Sequence, residues 1–335
     1  MNTFKRASLG LALAIATGSG TWAETKDLTV VFPNPSAINN YPLHVAIQEG
    51  YFKDEGLNVN VETVNGSASV LQLLVSGQAQ IGQPGPAPLL AARSRGEDVV
   101  FIYNHFAKSV FGLVVPEDSP AQSPADLKGV TIGVGTADGA EVGFARSILG
   151  DVGLKDGADY EFLSIGDGGT AVAAFVNKEV GAYSAAVSDS AIISARGIPL
   201  REITPDPYLE YFGNGYAVTR QFLDENPETI EAFGRALVKA TRFGLDPANR
   251  ETVLKHVAAG NPQESEDPAF ADNLLTVVQY RTQPVKDDNP IGYQPPEAWK
   301  KWEDSLVASG DLVKPMDDLE AAYTNKFVDV WNAAD

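Results

Sequence analysis

"VNGSASVLQLLVSGQAQIG", Val64 to Gly82, reads as the end of a strand, a Gly/Ser turn, one helix and the start of another strand. About a hundred residues on, "IGDGGTAVAAFVNKEVGAYS", Ile165 to Ser184, repeats the pattern, with Val70 and Leu74 matched by Val172 and Val176. Working outward, "LTVVF" (28–32) pairs with "VTIGVG" (130–135), both short β-branched runs ending in turn residues. The helix beginning at Pro42, with Leu43, Ala46 and Ile47 on one face, pairs with "GAEVGFARSIL", where Val142, Ala145 and Leu149 keep helical spacing. "LNVNVETV" pairs with "YEFLSI", and "AARSRG" (91–96) with "SARG" (194–197). Each copy therefore runs strand, helix, strand, helix, strand, helix. That alternation gives parallel strands with crossover helices, hence an α/β protein of two similar lobes.

The first 23 residues stand apart. Lys5 and Arg6 form a basic start, Ala7–Ala16 a short apolar run, and Thr21-Trp22-Ala23 a cleavage-type site, the parts of a secretory signal peptide. The mature chain is expected to begin near Glu24, in the periplasm. Loss of the leader removes two basic residues and no acidic one, taking the net charge from −19 to −21. Nucleic acid is not expected as a partner, since it requires a basic surface. The chain has no cysteine, which excludes disulfides, thiolate chemistry and the lipid-anchor cysteine of exported lipoproteins.

"VVFIYN" (99–104) and "FGLVVPED" (111–118) read as strands, and "SPADLKG" (123–129) as a helical turn capped by Ser123. The chain is expected to cross between lobes near Pro116–Pro124 and to return through "GNGYAVTR" (213–220). Helices follow over 221–244, 247–259, 267–281, 295–307 and 319–331, expected to cap the first lobe. The organisation expected is thus leader 1–23, first lobe 24–115, second lobe 116–213, then return strand and C-terminal helices 214–335, with a two-segment hinge.

In open parallel sheets, ligands bind beyond the carboxyl ends of the strands. The repeat identifies the loops at those ends: 33–41, 65–69 and 82–87 in one copy, 135–141, 166–170 and 184–189 in the other. Two rims facing each other could close on a small molecule.

The runs "YPLHVAIQEGYFKDEGLNVNVE" (41–62), "LVSGQAQIGQPGPAPLLAA" (74–92), "SPADLKGVTIGV" (123–134) and "VNKEVGAYSA" (176–185) together resemble the periplasmic solute-binding proteins of ABC importers. Within these the likeness is to the nitrate, sulfonate (SsuA-like), taurine and thiamine-pyrimidine-precursor (NMT1/THI5-like) group. The resemblance implies a type II periplasmic-binding-protein fold. It also implies a monomeric binding protein with no cofactor, whose partners are a small solute and an ABC permease with its cytoplasmic ATPase.

The six rim loops contain no Lys or Arg but hold Asp138, Glu141, Asp167 and Asp189. Aromatic residues lie in or near them: Tyr41, Phe106, Tyr183, Tyr211, Phe212 and Tyr216. A neutral heteroaromatic solute such as a pyrimidine suits that pattern. A small anion such as a sulfonate, taurine or nitrate is the alternative, bound by backbone N–H groups and helix dipoles alone.

Asn39, Asn40 and Tyr41 stand before the Pro42 helix, where ligand contact and N-capping are both open. Asn65 begins the Gly/Ser turn, and Gln83-Pro84-Gly85 is a rigid link from strand to helix. Thr136 and Asp138 either cap their helix or hold solute, Asp167 is a turn residue or a solute partner, Asp189 a cap or a partner, and Asn214 a hinge-turn residue or a contact. His105 alone of the three histidines falls near the cleft, His44 being expected at a lobe surface, and no metal spacing occurs. Trp299, Trp302 and Trp331 read as packing of the C-terminal helices.

An enzyme of the related pyrimidine-synthase branch would, in family terms, need a cysteine-rich motif and a histidine before the first helix. The chain lacks the cysteines, and Asn40 occupies the histidine position. No GxSxG motif is present. A solute sensor that signals to a membrane receptor is the third possibility.

Overall fold

Two five-stranded sheets carry the architecture of the protein, whose computed structural model describes residues 25–333 apart from Thr136, Asp138, Gly139, Asp167, Gly168 and Asp287. The first sheet has the order β2-β1-β3-β10-β4, from β1 (Lys26–Phe32), β2 (Leu57–Thr63), β3 (Ile81–Gly82), β4 (Val99–Tyr103) and β10 (Tyr216–Thr219). The second has the order β7-β6-β8-β5-β9, from β5 (Phe111–Pro116), β6 (Thr131–Val134), β7 (Glu161–Ser164), β8 (Ala182–Ala186) and β9 (Leu200–Glu202). In each sheet the fourth strand, β10 or β5, runs antiparallel to both its neighbours, while the first three are parallel. The offset seen in the sequence reappears in the register: Val31 faces Gly82 in one sheet, and Gly133 faces Tyr183 in the other.

In the first half the helices are α1 (Tyr41–Gln48), α2 (Tyr51–Asp54), α3 (Gly66–Val75) and α4 (Pro86–Ser94). In the second they are α5 (Ala140–Asp151), α6 (Gly169–Val176), α7 (Val187–Ala195) and the short α8 (Asp206–Leu209). β1 shows why the strands read as continuous apolar runs. Leu28, Val30 and Phe32 enter a core on one face of the sheet, and Val31 enters a second core on the other, since successive side chains alternate and both faces are covered by helices. Gly82 lets α3 settle close on the sheet: a Cβ there would lie 2.6 Å from Val70 Cγ1.

The chain passes between sheets at 104–110 and at 203–215. β5 pairs with β8 and β9, so it belongs to the second sheet, and the outward crossing precedes 111 rather than following 116. The physical reason is that an apolar strand of this kind satisfies either sheet, and its partners decide. The two crossings are bonded to one another. Phe106 N donates to Asn214 O at 3.0 Å, Gly213 N to Phe106 O at 2.8 Å, and Ser109 N to Leu209 O at 3.0 Å.

The C-terminal helices are α9 (Arg220–Glu225), α10 (Pro227–Leu245), α11 (Arg250–Gly260), α12 (Pro268–Thr282), α13 (Pro296–Ser309) and α14 (Val328–Asn332). Pro227, with no N–H to donate, separates α9 from α10. α10 buries Ile230, Phe233, Leu237, Ala240, Thr241 and Gly244, a stripe at helical spacing. α10 and α11 pack on α1, and α13 packs on α4, whereas α12 packs on α7 of the second lobe. The C-terminal helices therefore contact helices of both sheets. The stretch 319–331 is not one helix: Tyr323 bridges to Phe101, and Thr324 N donates to Phe101 O, so this part of the chain runs beside β4.

Candidate functional site

Loops from both sheets and both crossings enclose a cavity of about 630 Å³. The first lobe contributes Pro33, Asn34 and Asn39 after β1, Gly66–Ala68 at the start of α3, and Gln83 with 85–88 at the start of α4. The second contributes Phe111 and the α7 entry, Ala186–Ser188. The crossings supply Phe106, Ser109, Val110 and 211–214, and α13 supplies Trp302.

The N-cap residues of α3, α4 and α7, respectively Asn65, Gly85 and Ala186, make no side-chain cap. The first-turn N–H groups of Ser67, Ala68, Ala87 and Ser188 have no partner within their own helices. All four residues line the cavity. The loops behind them are fastened to each other: Gly85 N donates to Ser67 Oγ at 3.0 Å, Asn214 Nδ2 to Gln83 O at 3.1 Å, and Gly215 N to Pro84 O at 3.3 Å. The loop after β1 is fixed from outside by Glu264, whose Oε2 accepts from Ala37 N at 2.7 Å and Ile38 N at 3.1 Å.

Aromatic rings form much of the remaining wall. Trp302 meets Tyr211 edge-on, with centroids 5.0 Å apart, and its Nε1 donates to Phe212 O at 3.1 Å. Phe106 lies edge-on to buried His105 at 4.5 Å. His105 is held neutral, burial lowering its pKa to about 4 although a hydrogen bond to Asn39 opposes this. Its Nε2 lies 2.8 Å from Asn39 O, which makes Nε2 the protonated nitrogen. Among the described residues, no Asp, Glu, Lys or Arg lines the cavity.

Of the residues singled out in the sequence, Asn39, Gln83, Gly85, Phe106 and Asn214 come together on this wall. Others do not line it. Tyr41, Tyr183 and Tyr216 are fully buried in the lobe cores. The Tyr41 hydroxyl lies 3.4 Å from Thr282 Oγ1, Tyr183 donates to Gly166 O, and Tyr216 packs edge-on to Phe32, Tyr103 and Phe233. Among the described residues, neither the buried Tyr216 hydroxyl nor Gln83 Nε2 has a hydrogen-bond partner. Asn40 is buried with its Nδ2 on Ser36 O, Asn65 and Pro84 serve through their backbone carbonyls, and Asp189 is buried in the first turn of α7. Thr136, Asp138 and Asp167 lie outside the described residues. His44 is buried against Gly260 rather than at a surface.

Ser188 falls in the 184–189 loop that the repeat identifies, but Ser109, Val110 and Phe111 at the outward crossing, and Trp302 from a helix read as packing, lie outside the six loops. For Trp302 the sequence signal is the aromatic content around the return crossing.

This arrangement of two twin sheets, with the cavity where their loops converge, is the fold of the periplasmic binding proteins. It matches the aliphatic sulphonate binding protein SsuA of Escherichia coli with a TM-score of 0.69 and 18% identity, over 89% of this chain and 91% of that one. A family model described as "NMT1/THI5 like" matches residues 37–250, and the chain belongs to that family. Over 330 residues it is 25% identical to the formylaminopyrimidine-binding protein of Halalkalibacterium halodurans, covering 94% of this chain and 97% of that protein. Over 301 residues it is 26% identical to the riboflavin-binding protein RibY of Chloroflexus aurantiacus, covering 86% and 82%.

Proposed function

We propose that the protein is the exported solute receptor of an ABC importer, holding a neutral heteroaromatic molecule between its lobes and passing it unchanged to a membrane permease. The observation that carries this reading is the cavity wall: aromatic rings and uncapped backbone N–H groups, with no charged side chain among its described residues. A flat ring with acceptor atoms uses both features, stacking on the rings and accepting from the amides. The two relatives named for their ligands bind a formylaminopyrimidine and riboflavin, both of that class.

The mechanism follows from contacts on both sides. Solute touching Ser67 or Gln83 on one lobe and Phe111 or Ser188 on the other stabilises the form in which the lobes are close. The shift equals its differential affinity for that form. The hydrogen-bonded crossings act as the hinge. The leader 1–23, outside the described residues, directs export, and the mature monomer begins near Glu24. Among the described residues no helix is long and apolar enough to cross a membrane, and the permease with its ATPase supplies that step.

A second reading rests on the three uncapped helix starts, which suit a small anion such as a sulfonate or nitrate. Thermal shift of the mature protein separates the two. Pyrimidines or flavins are expected to raise the melting temperature and to be recovered unaltered by chromatography. Stabilisation by sulfonate or nitrate alone overturns the heteroaromatic reading, and conversion of any compound overturns the receptor assignment.

A further inference from the structure

Beside the cleft lies a second cavity, of about 270 Å³, between α5 of the second lobe and α13. Ala87, Tyr211 and Trp302 belong to the walls of both, so the two hollows adjoin at these residues. The smaller one falls below the ~300–1,000 Å³ of separate small-molecule sites, which makes it an annex of the cleft.

Its chemistry differs from that of the cleft. Alongside Phe144 and Leu306, its lining holds five hydroxyl residues, Ser147, Ser305, Ser309, Tyr208 and Tyr211. Its charged groups are already engaged. Arg146 Nη2 donates to Asp156 at 2.9 Å, and Asp311 Oδ2 accepts from Ser309 Oγ at 2.7 Å. An anionic group entering the annex would meet one occupied guanidinium and the Asp311 carboxylate. Ser147 Oγ donates to Gly143 O at 3.0 Å and the Tyr208 hydroxyl to Asp151 Oδ2 at 2.5 Å, while Ser309 Oγ, already on Asp311, also lies 3.1 Å from Leu306 O. These oxygens keep lone pairs for a solute hydroxyl to donate to, whereas an anion, which can only accept, finds their protons taken.

We propose that the solute is a heteroaromatic ring bearing a neutral hydroxylated tail, the ring in the cleft and the tail in the annex. This rests on the heteroaromatic reading of the cleft and adds to it the part of the molecule that sets specificity. The annex has α5 on one side and α13 on the other, so the tail is gripped from both lobes and strengthens closure. A ring without a tail leaves the annex hydroxyls to water.

The test compares pairs of probes by isothermal titration with the mature protein: lumichrome against riboflavin, and uracil against uridine. In at least one pair the hydroxylated member is expected to bind tenfold or more tightly, and FMN no more tightly than riboflavin. Ser147→Leu and Ser305→Leu, which fill the annex, are expected to erase that advantage while leaving ring-only binding within threefold. Equal affinity within both pairs of wild type overturns the proposal without touching the receptor reading, as does an advantage that survives filling, or tighter binding of FMN. Should none of these heteroaromatics bind, both readings fall. The wild-type comparison stands even where a filled variant does not fold.

Discussion

Arg281 on α12 reaches across the lobe boundary to Glu202 on β9, its Nη2 lying 3.3 and 3.1 Å from the two carboxylate oxygens. Arg281 is buried, 5% exposed, and among the described residues its Nε and Nη1 have no hydrogen-bond partner. Glu202 therefore provides nearly all the compensation for a charge taken out of water. Glu202→Gln is expected to cost about 1–3 kcal/mol, below the full cost for a buried pair because the carboxylate is 34% exposed. Arg281→Met, which removes the charge itself, is expected to cost less. Urea denaturation of both variants measures the order, and a reversed order removes the role given to Glu202.

His44 and His105 are both buried, and burial lowers each to about 4. Between that value and about 6.5, the ordinary histidine value, the unfolded chain binds protons that the folded chain does not. Stability from these groups is complete above about pH 6.5, declines as pH falls towards 4, and changes no further below it. Each shift corresponds to roughly 3 kcal/mol, as an order of magnitude. His105→Gln is expected to flatten the fall in stability between pH 7 and pH 4.5, read as the difference between urea midpoints. A wild-type slope in the variant would locate the effect elsewhere.

Gly213 sits where the crossings meet. A Cβ there would overlap Val110 Cγ1 and stand 3.0 Å from Phe106 Cβ. Gly213→Ala is expected to cost about 1–3 kcal/mol by overpacking and to weaken solute binding as well. Gly234→Ala, which strikes the Trp331 ring far from the cleft, serves as control: a similar stability loss is expected with affinity unchanged. Equal loss of affinity in both variants would show that binding follows general stability, not the fit of the crossings.

Three tryptophans remain after the leader. Trp299 and Trp331 are buried in the packing of the C-terminal helices, while Trp302 is half-buried on the cavity wall. Ligand-dependent change in intrinsic fluorescence is expected to vanish in Trp302→Phe and to persist in Trp331→Phe. The opposite pattern would remove Trp302 from the site.

The repeat was legible because Val64–Gly82 and Ile165–Ser184 keep the same spacing of turn, apolar helix positions and strand, and spacing alone places equivalent loops at equivalent strand ends. What spacing cannot supply is the partner of a strand. Phe111–Pro116 has the composition of a strand in either lobe, so its membership, and with it Phe111 on the cavity wall, depended on pairing with β8 and β9. The tyrosines show the same limit. Tyr216 stands at a strand end near the crossing, yet the strand's alternation turns it into the core with Val218. Trp302 enters the cleft through a contact with Tyr211 and Phe212, ninety residues earlier in the chain, that no local pattern records.

The position of β10 between β3 and β4 sets the sequence in which the molecule can assemble. Val99–Tyr103 has Tyr216–Thr219 as its strand neighbour in the sheet, and its further bridges, from Phe101 to Tyr323 and from adjacent Asn104 to Gly292, also reach towards the C-terminus. On a growing chain this apolar segment waits unpartnered while 111–202, continuous in sequence, completes its own sheet. The second sheet can thus close from residues 111–202 alone, before β10 exists to complete the first. A chain cut short before residue 216 would carry a bare, sticky edge, a target for chaperones or a seed for aggregation.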